Sequence, residues 1–448
     1  MSRKALRLIP ALVLVFAFVM GALPTSAQQP VKVVWFIGLG TGGQPEQQEM
    51  QNKVVEQFNA THDDIELEIV VADYDVARDT LSTLIASGDS PDIVGPVGNT
   101  GANAFAGNWL DLEPLVEKTG YDLSQFPQAA VDFYRTPEGL IGLPFATFPS
   151  FLWYRPALFD EAGLPYPPAA YGEPYADGDP WDMDKLREVA MQLTVDANGY
   201  DATEPEFDPE NIVQWGFTIQ WSDPLGIPTL FGAGHVYDGQ GNAVMPEHFR
   251  TAWKWIYDGI WKDHFMPNDA QVGSDLLGAG NPFASGNVAM ATTHLWYTCC
   301  IADTEWQAAA IPSYNGKVTA KLHADTFRIL KTSKNPEAAF EVLTYLIGEA
   351  SLDLLSVYGG MPAREADRAA FFDTLNQKYT QGVNWQVVMD SLNYPDIPSH
   401  ESWMPNFNKA QDLLRNFVTL YGSTPGLDMD AELDKLVADL QAVFDEVK

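Results

Sequence analysis

From Val31 to Ile37 the chain is apolar and β-branched, broken only by Lys32, and reads as a buried strand. A glycine-rich turn, Gly38 to Gly43, leads into a helical stretch from about Pro45 to Thr61. Ile65 to Ala72 alternates as a second strand, Val76 to Ser87 follows as a helix, and Asp92 to Val94 opens a third short strand. Strands separated by helices of this length imply βαβ units and a mostly parallel sheet. Further strands are expected at Leu152 to Leu158 and Trp215 to Trp221, and a Trp-rich amphipathic helix from Phe249 to Lys262. Trp253, Trp255 and Trp261 fall at helical spacings there, which makes them packing residues. Pro165 to Pro180, rich in Pro, Gly and Tyr, is a loop, and beyond about Asn335 the pattern is mainly helical.

The N-terminus changes the picture of where this chain works. Arg3, Lys4 and Arg7 precede an almost unbroken apolar run, Leu8 to Leu23, and the small residues Thr25-Ser26-Ala27 follow. This is the layout of a secretory signal peptide cleaved after Ala27, so residues 1–27 are expected to be removed. No cysteine lies near that point to carry a lipid, and the remaining chain is expected to be soluble. It is long enough for two or three domains. A formal net charge of -34 repels nucleic acid and anionic lipid, and excludes partners of that kind. The acidic residues are scattered, as on a solvated surface. The seven histidines show no metal-type spacing, so no metal and no cofactor are expected. The two cysteines, Cys299 and Cys300, are adjacent; in an oxidising compartment they could close a strained vicinal disulfide, or remain two buried thiols.

Open α/β sheets bind ligands beyond the carboxyl ends of their strands, which directs attention to the loops after Ile37, Val94 and Trp221. The glycines at 38, 40, 42 and 43 lack the spacing of a nucleotide loop and suit a flexible, ligand-facing turn. Seven further segments occur in a telling order. They are Ser87-Gly88-Asp89-Ser90-Pro91-Asp92-Ile93-Val94, Trp109-Leu110-Asp111-Leu112, and Gly139 to Pro144 followed by Leu152-Trp153-Tyr154-Arg155. Leu158 to Leu164, Phe283 to Met290, Ser333 to Ala339 and Gly359-Gly360-Met361-Pro362-Ala363-Arg364 complete them. Together they resemble the family 1 extracellular solute-binding proteins of ABC importers, the group of maltodextrin- and glycerol-phosphate-binding proteins. Two departures, Arg155-Pro156 for the family's Asn-Lys and His323-Ala324-Asp325 where relatives often carry Gly-Gly, bear on the ligand more than on the fold.

The resemblance implies an α/β, two-lobed periplasmic-binding-protein-like fold, each lobe an open, mostly parallel sheet flanked by helices, joined by a three-crossing hinge. One lobe would take residues 28–146 plus 320–362, the other 147–319 plus 363–448. It also implies a monomer that captures a sugar, oligosaccharide or glycoside by hinge closure and delivers it to a membrane permease, without catalysis. Such a site needs aromatic faces for the C–H side of a pyranose and polar groups for its hydroxyls. Trp296 stands where a tryptophan stacks on sugar in the maltodextrin-binding relatives, and Trp221 and Asp223 follow a ligand-contacting strand. Trp35, Asn99, Phe148, Asp325, Arg364 and Trp403 are further ligand candidates. Each has an ordinary alternative: core packing for Trp35, Phe148 and Trp403, turn formation for Asn99 and Asp223, capping or ion pairing for Asp325 and Arg364. Two rivals stand beside this reading. One keeps the fold and binds a polyamine, phosphodiester or peptide; the other is a secreted glycoside hydrolase, for which no catalytic signature is present.

Overall fold

In a computed structural model that describes residues 29–136, 138–302 and 304–447, the expected βαβ order is present from the first strand. The expected signal peptide lies outside these residues. Strand β1 (Val31–Ile37), helix α1 (Pro45–Thr61), strand β2 (Ile65–Val71), helix α2 (Tyr74–Ser87) and strand β3 (Ile93–Val97) follow one another. β1 pairs in parallel with β2 from Val31↔Ile65 to Ile37↔Val71, and with β3 at Trp35↔Ile93. Helix α2 stops at Gly88, whose φ of 83° lies in the left-handed region that a side chain would resist. All of β3 is buried, as befits a strand covered on both faces.

Strand β4 (Leu143–Tyr154) is the structural centre of the chain. It is buried almost throughout despite Pro144 and Pro149, and it changes partners midway. Its first part, Leu143 to Pro149, pairs antiparallel with the last long strand, while Ser150 to Tyr154 pairs with another strand of the second half. The sequence expectation of a strand over Leu152 to Leu158 is corrected here. The strand ends at Tyr154 and Pro156 opens helix α3 (Pro156–Ala162), because proline, lacking an N–H, suits the first turn of a helix and cannot extend a ladder.

The second half continues with helix α4 (Met183–Gln192), strand β5 (Ile212–Ile219), helix α5 (Glu247–Trp261), strand β6 (Val288–His294) and strand β7 (Gln307–Ala309). The Asp182 carboxylate caps α4 by accepting from the N–H groups of Asp184 and Lys185. α4 lies so close on β5 that a Cβ added at Gly216 would stand 1.9 Å from the Ala190 carbonyl oxygen. α5 buries Phe249, Ala252, Trp253, Ile256, Tyr257 and Ile260, one apolar stripe at helical spacing. The return strand β8 (Leu322–Ile329) completes the path β2-β1-β3-β8-β4-β6-β5 of a ten-stranded sheet, with Val195–Asp196 at its far edge. β5 and β6 are parallel; the strands linking the halves are antiparallel, because they carry the chain across and back. Helices α6 (Pro336–Ile347), α7 (Phe407–Ser423) and α8 (Met429–Asp445) cover the sheet. Separate cores, one around Phe36, Leu81 and Trp109 and another around Phe217, Trp253 and Leu414, sit on either side. The result is a two-lobed α/β fold of the periplasmic-binding-protein type. No helix among the described residues is long and apolar enough to cross a membrane.

Candidate functional site

The loops after β3, β5 and β6 meet a late loop, residues 395–403, at the carboxyl ends of the strands, where such sheets present ligands. Two tryptophans dominate this cleft. Trp221 and Trp296 lie parallel, 4° apart with centroids at 6.2 Å, and Tyr297 stands edge-on to both. Trp221 is 41% exposed, yet its indole N–H donates to the Gly280 carbonyl at 2.8 Å. Its φ of 43° is unfavourable for a bulky residue, so the surrounding structure holds it against local preference. Trp296 is carried on a short 3-10 turn, Leu295–Cys299, that ends in the vicinal pair. Cys299 and Cys300 are joined there as a disulfide, and the Cys300 carbonyl accepts from Asn281 Nδ2 at 3.0 Å.

Behind the tryptophans lies a dense polar floor. Asp223 Oδ2 stands 3.4 Å from His323 Nε2, and this partner with His400 and Lys321 holds its carboxyl down at about 2 although burial opposes ionisation. His323 Nε2 faces His400 Nε2 at 3.0 Å, and His400 Nδ1 meets Asp396 Oδ2 at 2.6 Å. Lys321 donates to Ser222 Oγ, and burial pulls its ammonium down to about 8. Glu401 joins the halves: its Oε1 accepts from the Thr100 N–H at 3.1 Å and its carbonyl accepts from Asn103 Nδ2. A Cβ at Gly98 would lie 3.2 Å from both Asp325 Oδ1 and Glu401 Oε1, so glycine there lets the two carboxyls approach the loop. Burial pushes Asp325 up to about 7 and Glu401 in the same direction. Tyr74, exposed at the start of α2, faces the same field, with the Asp223 charge opposing ionisation of its hydroxyl.

The raised Asp325 has a consequence for stability. The folded protein binds its proton more tightly than the unfolded chain, so the stabilisation is complete below about pH 4 and is lost as pH rises through about 7. The denaturation midpoint is therefore expected to fall between about pH 4 and about pH 7, and D325N to flatten that fall. An equal slope in the variant would refute the assignment.

Of the sequence-predicted ligand residues, the structure gathers Trp221, Asp223, Trp296, Asp325 and Asn99 around the cleft, with Asn99 Oδ1 accepting from buried Arg328 at 3.3 Å. Trp403, 49% exposed, lies two residues from Glu401 with its ring edge-on to Tyr237. Three others are elsewhere. Trp35 is wholly buried, donates to the Gly95 carbonyl and packs on Phe327. Phe148 is enclosed in the same core because β4 is covered on both faces. Arg364 is drawn into an ion pair with Asp367 at 2.7 Å and bonds to Gly348 and Ser351, lining a separate surface groove with Tyr121 and Gln125. Sequence reasoning missed His294, His323, His400, Glu401, Lys321 and Tyr74 as site residues. The one available signal was the departure His323-Ala324-Asp325.

Comparison with known proteins agrees with this architecture. The ABC substrate-binding protein Lmo0181 of Listeria monocytogenes, solved with cycloalternan, superposes with a TM-score of 0.70 at 18% identity, covering 93% of this chain and 98% of its own. Maltose-bound MalE3 of T. maritima gives 0.68 at 20% identity, covering 92% and 99%. The GacH receptor of Streptomyces glaucescens, solved unliganded and with acarbose, gives 0.68 at 15% identity, covering 94% and 100%. An uncharacterized lipoprotein in the oleD 5' region of Streptomyces antibioticus is 26% identical over 152 residues. That match spans 34% of this chain and about a third of the relative, 32%. The model of the bacterial extracellular solute-binding protein family matches residues 41–352, well over half of the chain. With the two-lobed fold, the cleft at the strand ends and this match in agreement, the chain belongs to the bacterial extracellular solute-binding protein family.

Proposed function

We propose that this protein captures a sugar, oligosaccharide or glycoside between its lobes and passes it unaltered to the permease of an ABC importer. The observation that carries the reading is the parallel pair Trp221 and Trp296, held at the cleft with Asp223 beside it. Parallel indoles offer faces to the C–H side of pyranose rings, and an ionised carboxylate accepts from their hydroxyls. The structural neighbours solved with cycloalternan, maltose and acarbose support the same ligand class. The lobes would be residues 28–146 plus 320–362 and 147–319 plus 363–448. The change of partners along β4 between Pro149 and Ser150 supports a boundary close to the first of these limits.

Closure follows from the energetics: a ligand touching both lobes at once binds the closed form better and shifts the equilibrium towards it. The receptor acts after export, as a monomer, and breaks no bond in its guest. A thermal-denaturation screen against a carbohydrate panel tests this. A true ligand at 100 times its Kd adds about 2.7 kcal/mol, and chromogenic glycosides incubated with the protein stay intact. Stabilisation by a polyamine or peptide, with none from any carbohydrate, would transfer the fold to a different cargo. Turnover of the glycosides would make the protein an enzyme.

A further inference from the structure

The floor beneath the tryptophans has more nitrogen donors than hydroxyl recognition needs. His294 ends β6, His323 lies on β8 and His400 on the late loop, and their rings form one stack. The centroids are 3.7 Å apart from His294 to His323 and 5.1 Å from His323 to His400. His294 is completely buried, and neither of its ring nitrogens has a hydrogen-bond partner. Leaving two such atoms dry and unpaired is costly unless something answers them. His323 and His400 point their Nε2 atoms at each other at 3.0 Å, where at most one proton can sit between them. Asp396 holds His400 by its Nδ1, the outer-sphere carboxylate that fixes a metal-bound imidazole in other proteins. Asp223 Oδ2 stands 3.4 Å from the same His323 nitrogen. Ligand atoms of His294, His323 and His400 all lie within 4.8 Å of one another, and so do those of Asp223, His323 and Glu401. Glu401 adds a third unpartnered buried atom, Oε2.

We propose that the cleft floor is a binding site for a divalent transition-metal ion of the zinc type, with His294, His323 and His400 as nitrogen ligands and Asp223 as the carboxylate. In a tetrahedral site with bonds of about 2.0–2.1 Å, neighbouring ligand atoms stand about 3.3 Å apart. The His323–His400 and His323–Asp223 separations bracket that value. Three imidazoles and one carboxylate favour zinc, cobalt or copper over calcium or magnesium, which prefer oxygen alone. The rings lie 24–26° from parallel, so loading turns His294 and His323 until their lone pairs converge. Despite burial, the neighbouring histidines hold the carboxyls of Asp223 and Asp396 low, and both face the ammonium of Lys321. Because His323 and Asp223 come from opposite sides of the β4 crossing and Glu401 bonds the loop after β3, the ion would tie the two sides together. The site goes beyond solute capture and does not depend on the guest being a sugar.

The test uses tag-free purified protein stripped with a chelator and dialysed against zinc, with metal content read by mass spectrometry and cobalt substitution by visible absorption. One equivalent per chain, and the strong visible bands of tetrahedral cobalt, are expected. A His323→Ala/His400→Ala variant is expected to bind at least 100-fold more weakly, with far-UV dichroism checking its fold. His62→Ala, on a distant helix end, serves as the control that retains the ion. Binding of less than half an equivalent by the parent would overturn the proposal, and so would equal affinity in the double variant. The carbohydrate screen, run on the stripped protein, reports on solute capture whichever way the metal result falls.

Discussion

Replacing Trp221 and Trp296 together by alanine is expected to weaken binding of the carbohydrate found in the screen by about 10²–10³-fold, while leaving the fold intact. Central aromatic anchors in desolvated pockets commonly account for 2 kcal/mol or more each, and 1.4 kcal/mol corresponds to about tenfold in Kd. The two rings lie 4° from parallel and both contact Tyr297, so their effects are coupled and the double loss need not equal the sum of the single losses. Trp221 is 41% exposed, and its φ of 43° is no easier for alanine, which keeps the Cβ that disfavours this region, so the substitution removes little buried surface and relieves no strain. The variant loses the bond to Gly280 and the contacts with Tyr297, so it is expected to fold cooperatively with a thermal midpoint somewhat below the parent's. Calorimetric titration checks the affinity and dichroism the fold. A double variant binding within threefold of the parent would remove these tryptophans from the site.

Trp153→Ala is expected to cost about 3–5 kcal/mol of stability, the range for truncating a large aromatic in a close-packed core. Trp153 is wholly buried on β4 just past the point where that strand changes partners. It stacks on Phe151 at 4.6 Å, meets Trp306 at 4.4 Å and Tyr297 edge-on at 5.3 Å, and donates to the Thr293 carbonyl. Tyr297 in turn supports Trp221 at 5.4 Å, so the cavity left behind also loosens one wall of the cleft. Urea denaturation should show a lower midpoint with an unchanged slope, and ligand affinity should fall by a smaller factor than in the tryptophan pair. A stability loss under 1 kcal/mol would mean that the neighbouring rings close the gap.

The periodicity of the chain by itself determined the βαβ opening, because alternating and helical apolar patterns are local and each strand or helix buries the face its pattern provides. The family was legible by a different route, the resemblance of short ordered segments such as Ser87 to Val94 and Gly359 to Arg364 to those of family 1 solute-binding proteins. Trp221 and Asp223 were singled out because they follow an expected strand, whose loop lies at the carboxyl edge of the sheet, and Trp296 by its resemblance to a tryptophan of the maltodextrin-binding relatives; the structure brings all three to that edge. Trp35 and Phe148 were not separable from them in this way, since an aromatic residue in an apolar run can face a cleft or a core. Only the layers packed over β1 and β4 decided for the core. The histidine cluster was invisible in the sequence for a plainer reason: its members are 29 and 77 residues apart, far outside any metal-binding spacing. They converge because β4 takes β8 on one side through Phe148 and β6 on the other from Ser150, which sets His323 and His294 beside the same turn of strand. Asp396, accepting from the Leu322 N–H, then pins the loop that carries His400. Long-range pairing of this kind is a property of the folded sheet, and no local stretch of residues contains it.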